Sequence, residues 1–200
     1  MDAIKLHAIS KTIGYRRILH GITYTVEPGQ LVAVTGPNGA GKTTLLKVLA
    51  GLMPKTSGTI AGVGFGDVGF VGHQPMVYTA LTVQENLIFF AKLHDTYDAA
   101  KIVHVLREIG LEAAAQLQGS MLSRGMLQRL ALGRLLVQNP RLCLLDEPFT
   151  GLDLAGQRWL ISFIGRLLAE HRPVMVVSHN VAELHPLPYA ELRLKGGRQL

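Results

Sequence analysis

One octapeptide constrains this chain more than anything else in it. Gly36-Pro37-Asn38-Gly39-Ala40-Gly41-Lys42-Thr43 fits the pattern GxxxxGKT and stands between an apolar segment, 31–35, and a helical pattern, 42–49. A loop so rich in glycine can wrap closely around a ligand, and its backbone N–H groups, with those opening the helix, converge on anionic oxygen. In that setting Lys42 reaches the outer phosphates of a nucleotide and Thr43 offers a hydroxyl to magnesium, with Thr44 continuing the cradle. Such a loop works at a strand-to-helix turn, which points to an α/β layered domain with a mainly parallel sheet. Ten of the 22 glycines lie between Gly36 and Gly72, so bare backbone is concentrated around the cradle.

The rest of the chain fits that architecture. Segments 4–9 and 18–26 alternate as half-buried strands, and Pro28-Gly29 marks the turn before the third strand at 31–35. The helix at 42–49 ends at Gly51 and Pro54. Six glycines alternate with apolar residues over 58–72, which predicts two short strands joined by a tight turn. From 82 to 118 the pattern is helical, with Thr82 and Glu85 spaced as a capping box and Leu87, Phe90, Ala91 and Leu93 forming an apolar stripe. Phe89 and Phe90 read as core of this inserted part. An amphipathic helix follows at 123–137, stopped by Asn139-Pro140, and another at 154–170. The runs 141–145, apolar after Arg141, and 174–177, wholly apolar, are those of strands covered on both faces.

Composition excludes several classes. At 200 residues, 48% hydrophobic and 17% charged, the chain can bury a core and is neither disordered nor a small stapled scaffold. No stretch approaches the roughly 18 apolar residues of a membrane span, and no signal-peptide core opens the chain, so a cytosolic location is expected. Cys143, the single cysteine, lies in an apolar run and reads as a buried structural thiol. The net charge of +6 is scattered rather than clustered, which favours a solvated surface over a nucleic-acid stripe.

A second constellation lies a hundred residues on. The run 142–145 ends in Asp146-Glu147, and a carboxylate at the C-terminal end of a buried parallel strand sits where α/β sheets bind ligands. Asp146 can hold magnesium and Glu147 can take a proton from an attacking water. His73 and the other six histidines besides His179 lack metal-ligand spacing.

Together these residues resemble the nucleotide-binding subunits of ATP-binding cassette (ABC) transporters over nearly the whole chain. The resemblance extends to Tyr15, Gln74, Leu122-Ser123-Arg124-Gly125-Met126, Gly151-Leu152-Asp153 and His179. It implies one cassette over 1–200, with a core of 1–80 and 139–200, an N-terminal antiparallel β subdomain, and a helical subdomain at about 82–138. It further implies that Tyr15 stacks on adenine, that Ser123 and Gly125 contact the phosphate of ATP held on a second copy, and that Asp153 couples the two sites of a head-to-tail dimer. Lys42, Gln74, Glu147 and His179 would then be catalytic, with Thr43, Gln74 and Asp146 around Mg2+. A cassette of this kind works with integral-membrane transporter subunits, as a peripheral protein on the cytoplasmic face of the inner membrane.

Two departures stand out. The family's LSGGQ reads with Arg124 for the first glycine and Met126 for the glutamine, leaving Gln128, one turn on, to supply an amide. Segment 58–74 is also shorter than is usual for the family. Gly72-His73-Gln74-Pro75, Leu81 to Leu87 and Ala91-Lys92-Leu93-His94 are similar to the ATP-binding subunits of the haem exporter of cytochrome c biogenesis. That resemblance implies transmembrane partners and a haem chaperone, not haem binding by this chain. The alternatives are the ATPase of another ABC exporter, a soluble ABC ATPase acting on nucleic acid or ribosomes, and a small-molecule kinase. The short helical insert argues against the soluble ATPase, and the Ser123-Gly125 signature against the kinase.

Overall fold

The computed structural model describes residues 2–64 and 66–200. In chain order the elements are β1 (Ile4–Ile13), β2 (Arg16–Val26), β3 (Leu31–Thr35), α1 (Lys42–Leu49), β4 (Ser57–Ala61), β5 (Val68–Val71), α2 (Val83–Leu93) and α3 (Ala99–Glu108). They continue with α4 (Arg124–Gln138), β6 (Leu142–Asp146), α5 (Leu154–Ala169), β7 (Val174–Val177), β8 (Ala190–Lys195) and β9 (Arg198–Gln199). Short 3₁₀ turns at Glu112–Ala114, Gly119–Met121 and Val181–Leu184 fill the connections.

Two sheets organise the molecule. The larger runs β5-β6-β7-β3-β8-β9 and is parallel except for its last pair. Every residue of β3, β6 and β7 is buried, as their unbroken apolar runs require of strands covered on both faces. The smaller sheet, β2-β1-β4, is antiparallel. Between the two sheets a core gathers Ile9, Leu19 and Ile22 with Leu45 and Leu46 of α1 and Val32 and Val34 of β3. On the other face α4 and α5 close a second core with Leu132, Leu135, Leu160 and Phe163. A third cluster joins α2 and α3 to α4 through Leu87, Ile102, Val105 and Leu130. Cys143 is buried in β6, where desolvation pushes its thiol up to about 12 and leaves it unreactive.

Several local expectations need correction. β1 runs to Ile13 and β2 starts at Arg16, because register shifts after Leu6, Ile9 and Lys11 break the alternation without ending the ladder. The strands within 58–72 exist but do not pair with each other. β4 lies against β1, where Gly58 sits at φ +94° and a Cβ would fall 2.5 Å from the Ala8 carbonyl oxygen. β5 belongs to the other sheet, beside β6.

In α2 the buried stripe is Val83, Asn86, Leu87, Phe90 and Ala91, a spacing of three and four. Phe89 and Leu93 fall off it and are exposed. Phe89 instead packs edge-on against Tyr78, 4.8 Å between centroids. The capping box at its start is present, with Glu85 N–H donating to Thr82 Oγ1 and Thr82 N–H to Glu85 Oε2.

Candidate active site

The C-terminal edge of the parallel sheet carries the chemistry. The loop after β3 turns through left-handed glycines, with φ of +136° at Gly36, +76° at Gly39 and +99° at Gly41. At Gly36 the chain also passes so close to β8 that a Cβ would lie 2.0 Å from the Leu194 carbonyl oxygen. Gly41 precedes α1 with no side chain capping it, so the first helical N–H groups are left to a ligand. The Lys42 ammonium, almost wholly buried, donates to Gly36 O at 2.7 Å and Pro37 O at 3.2 Å.

Neighbouring strands supply the acids. Asp146 ends β6 and accepts from the Thr43 hydroxyl at 3.1 Å, joining the loop to the sheet. Burial raises its pKa above the ordinary value of 3.8, opposed by the Thr43 hydrogen bond. Glu147 follows in a left-handed conformation, φ +54°, its N–H donating to Val177 O at 2.9 Å. The backbone turn aims its carboxylate out of the sheet edge, with Oε1 2.7 Å from His179 Nε2 and Oε2 3.7 Å from His73 Nδ1.

Two clefts meet at Thr43 and Glu147. The first, of about 390 Å³, is lined by Arg16, Ile18, residues 38–44, Glu147 and His179, a volume within the range of small-ligand sites. The second, of about 550 Å³, holds Lys47, His73, Gln74, Met76 and Asp146. Of the residues singled out in the sequence, Asn38, Gly39, Ala40, Gly41, Lys42, Thr43, Thr44, Gln74, Asp146, Glu147 and His179 line one or both. Gly36 and Pro37 turn toward an adjoining depression beside Ser178, His179 and Glu191.

Tyr15 lies outside this lining with its ring fully exposed, whereas Arg16 and Ile18, which carry no sequence signal, line the first cleft. Ser123 and Gly125 form a separate depression with Arg129, Leu152 and Asp153, sharing no residue with either cleft. Ser123 caps α4, its Oγ accepting from Met126 N–H at 3.3 Å, and Asp153 caps α5. Gln128 does not replace the missing signature amide. It is buried and donates inward to Pro148 O at 3.3 Å. Arg124 lies against the backbone of Gly151, where a Cβ would come within 2.6 Å of its Cζ.

Among the described residues no group of three His, Cys, Asp or Glu side chains could hold a metal. The Thr43 hydroxyl and Asp146 carboxylate nevertheless form a close all-oxygen pair beside the phosphate cradle, the donor set that suits Mg2+ completed by phosphate and water. The buried acid also has a stability consequence. A carboxyl whose folded pKa is raised favours the fold fully below its unfolded pKa and loses that advantage as pH rises through the folded value. Asp146→Asn, which still accepts from Thr43, is expected to raise the melting temperature at neutral pH without ATP or magnesium. The gain should shrink toward acid, and a lower melting temperature at neutral pH would contradict the burial argument.

Residues 19–150 match the family model described as ABC transporter. The cytochrome c biogenesis ATP-binding export protein CcmA of Yersinia pestis is 34% identical over 187 residues, 84% of this chain and 86% of that protein. An aliphatic sulfonates import ATP-binding protein of Pseudomonas syringae is 35% identical over 174 residues, 86% of this chain and 72% of the relative. A zinc import ATP-binding protein of Pseudomonas fluorescens is 35% identical over 179 residues, covering 89% and 68%. A solved structure described as the ATP binding subunit of an ABC transporter superposes with a TM-score of 0.90 at 26% identity, covering 98% of this chain and 87% of that one.

Proposed function

The chain belongs to the ABC transporter family as an ATPase subunit, and from that premise we propose that it holds Mg-ATP between two head-to-tail copies to drive a haem-exporter type of membrane complex. The observation that carries the catalytic part is the convergence of Lys42, Thr43, Asp146, Glu147 and His179 where the two clefts meet. The loop N–H groups, the α1 N-terminus and Lys42 bind the phosphates. Water attacks the γ-phosphorus, the bond to the bridging oxygen breaks, ADP leaves with that oxygen, and Glu147 takes the water's proton. His179 donates to the γ-phosphate. Thr43 and Asp146, with Gln74 in the same cleft, would hold magnesium, whose charge neutralises the phosphates.

Ser123 and Gly125 open onto their own depression away from this cleft, and we assign them to the ATP of the facing copy. Residues 1–80 and 139–200 make the nucleotide-holding core and residues 82–138 a helical subdomain, supported by the hydrophobic cluster that α2, α3 and α4 share. No helix of the described residues is long and apolar enough to cross a membrane, so the partners supply the pathway.

Support for the haem exporter is the match to the cytochrome c biogenesis protein over 86% of its length, together with the Gly72-His73-Gln74-Pro75 segment. The importer relatives are as similar, which keeps the ATPase of another ABC transporter as the second reading. Affinity purification from solubilised membranes separates the two. Recovery of membrane subunits of cytochrome c assembly, with ATP hydrolysis needing no acceptor, is the expected result. Solute-importer subunits would support the second reading, and RNA or DNA in their place would overturn both.

A further inference from the structure

The sheet order sets two histidines beside Glu147. β5, β6 and β7 are consecutive parallel neighbours, with Val71 opposite Leu145 and Asp146 opposite Val177. His73 stands two residues beyond Val71 and His179 two beyond Val177, while Glu147 emerges from the strand between them. The side chains meet accordingly, His179 on Oε1 at 2.7 Å and His73 facing Oε2 at 3.7 Å. Among the described residues no Lys or Arg nitrogen lies within 4.0 Å of this carboxylate, although Lys47 lines the same cleft.

We propose that His73 is a positioning residue for hydrolysis, holding the second oxygen of Glu147 through Nδ1–H. The inference rests on Glu147 being the general base. His179 Nε2 carries a single N–H and cannot donate fully to Glu147 and to the γ-phosphate at once. When it serves the phosphate, its contact with Oε1 is given up and the carboxylate is free to rotate about its own torsions. Glutamate is among the side chains with the most rotamer freedom to lose. A misplacement of about 1 Å at a reacting centre can cost on the order of 10²-fold in rate. His73 removes that freedom from the far side, leaving Oε1 to the water. Its separation exceeds a hydrogen bond by roughly 0.8 Å, and catalytic contacts that are long in the free enzyme tighten on substrate binding.

Steady-state ATP hydrolysis by the full chain tests this. His73→Leu is expected to lower kcat about 10-fold with KM for ATP within about twofold, because the lost contact bears on the base and not on the cradle. His73→Asn, whose amide N–H can occupy the place of Nδ1–H, should stay within about threefold of the parent. On a Glu147→Gln background His73→Leu should slow nothing further, since it acts through that carboxylate. His73 is more than half exposed, so neither variant removes core packing. Parental kcat in His73→Leu, equal losses in both His73 variants, or an additive loss on the Glu147→Gln background would each overturn the proposal. If Glu147→Gln itself hydrolyses ATP at the parental rate, the general-base reading fails first. If only Glu147→Gln is slow, the role of His73 alone is wrong.

Discussion

A Glu147→Gln variant is expected to bind ATP as the parent does and to hydrolyse it about 10²- to 10⁴-fold more slowly, the usual worth of a general base. The substitution keeps size and shape. A glutamine oxygen can still accept from His179 Nε2, now 2.7 Å from Oε1, and the backbone bond from Glu147 N–H to Val177 O is untouched. What it lacks is the capacity to take a proton. Binding should hold because the cradle, Lys42 and Thr43 are unaltered, and the loss of one anion beside the triphosphate can only favour the nucleotide. Titration with a fluorescent ATP analogue and single-turnover phosphate release measure the two properties separately. Parental release would assign the proton to another group, and weakened binding with an unaltered rate would make Glu147 a ligand contact.

The parts of this site that were legible in the sequence are those written locally. The phosphate loop is contiguous, its glycines are demanded by positive φ and by the approach of Gly36 to β8, and β3 and β6 announce double-sided burial by having no polar face. The capping box at Thr82 and Glu85 needs only four residues. What was not legible depends on partners distant in the chain. That β4 and β5 separate into different sheets follows from which strand each meets, not from the turn between them.

His73 shows no ligand spacing, and it reaches Glu147 only because β5 and β6 are parallel neighbours in register. Gln128 illustrates the converse. It offers the right amide close by in sequence, yet two residues past Met126 is about 200° around a helix, and α4 turns it inward to Pro148. Nearness in sequence alone therefore misassigns it. Phe89 and Leu93 fail for a similar reason, being apolar residues of α2 placed off its buried stripe.

Lys42→Ala should act on the other half of the problem, weakening ATP itself. The ammonium is held by two loop carbonyls, so it is oriented before ligand arrives, and it is buried deeply enough to interact with phosphate through little water. Truncating one partner of a buried, hydrogen-bonded charge pair costs about 2–5 kcal/mol, which is roughly a 30- to 5,000-fold rise in Kd. Unlike Asp146→Asn, the change brings little benefit to the fold: it relieves a buried ammonium but takes the Lys42 donor from Gly36 O, while Pro37 O keeps the Ala40 N–H. The melting temperature without nucleotide is therefore expected to move little, and the stabilisation that ATP normally confers should largely vanish. Calorimetric titration together with melting curves at rising ATP concentration tests both statements. Parental affinity in Lys42→Ala would mean that the loop N–H groups and the α1 N-terminus alone hold the triphosphate, with Lys42 serving only to brace the loop.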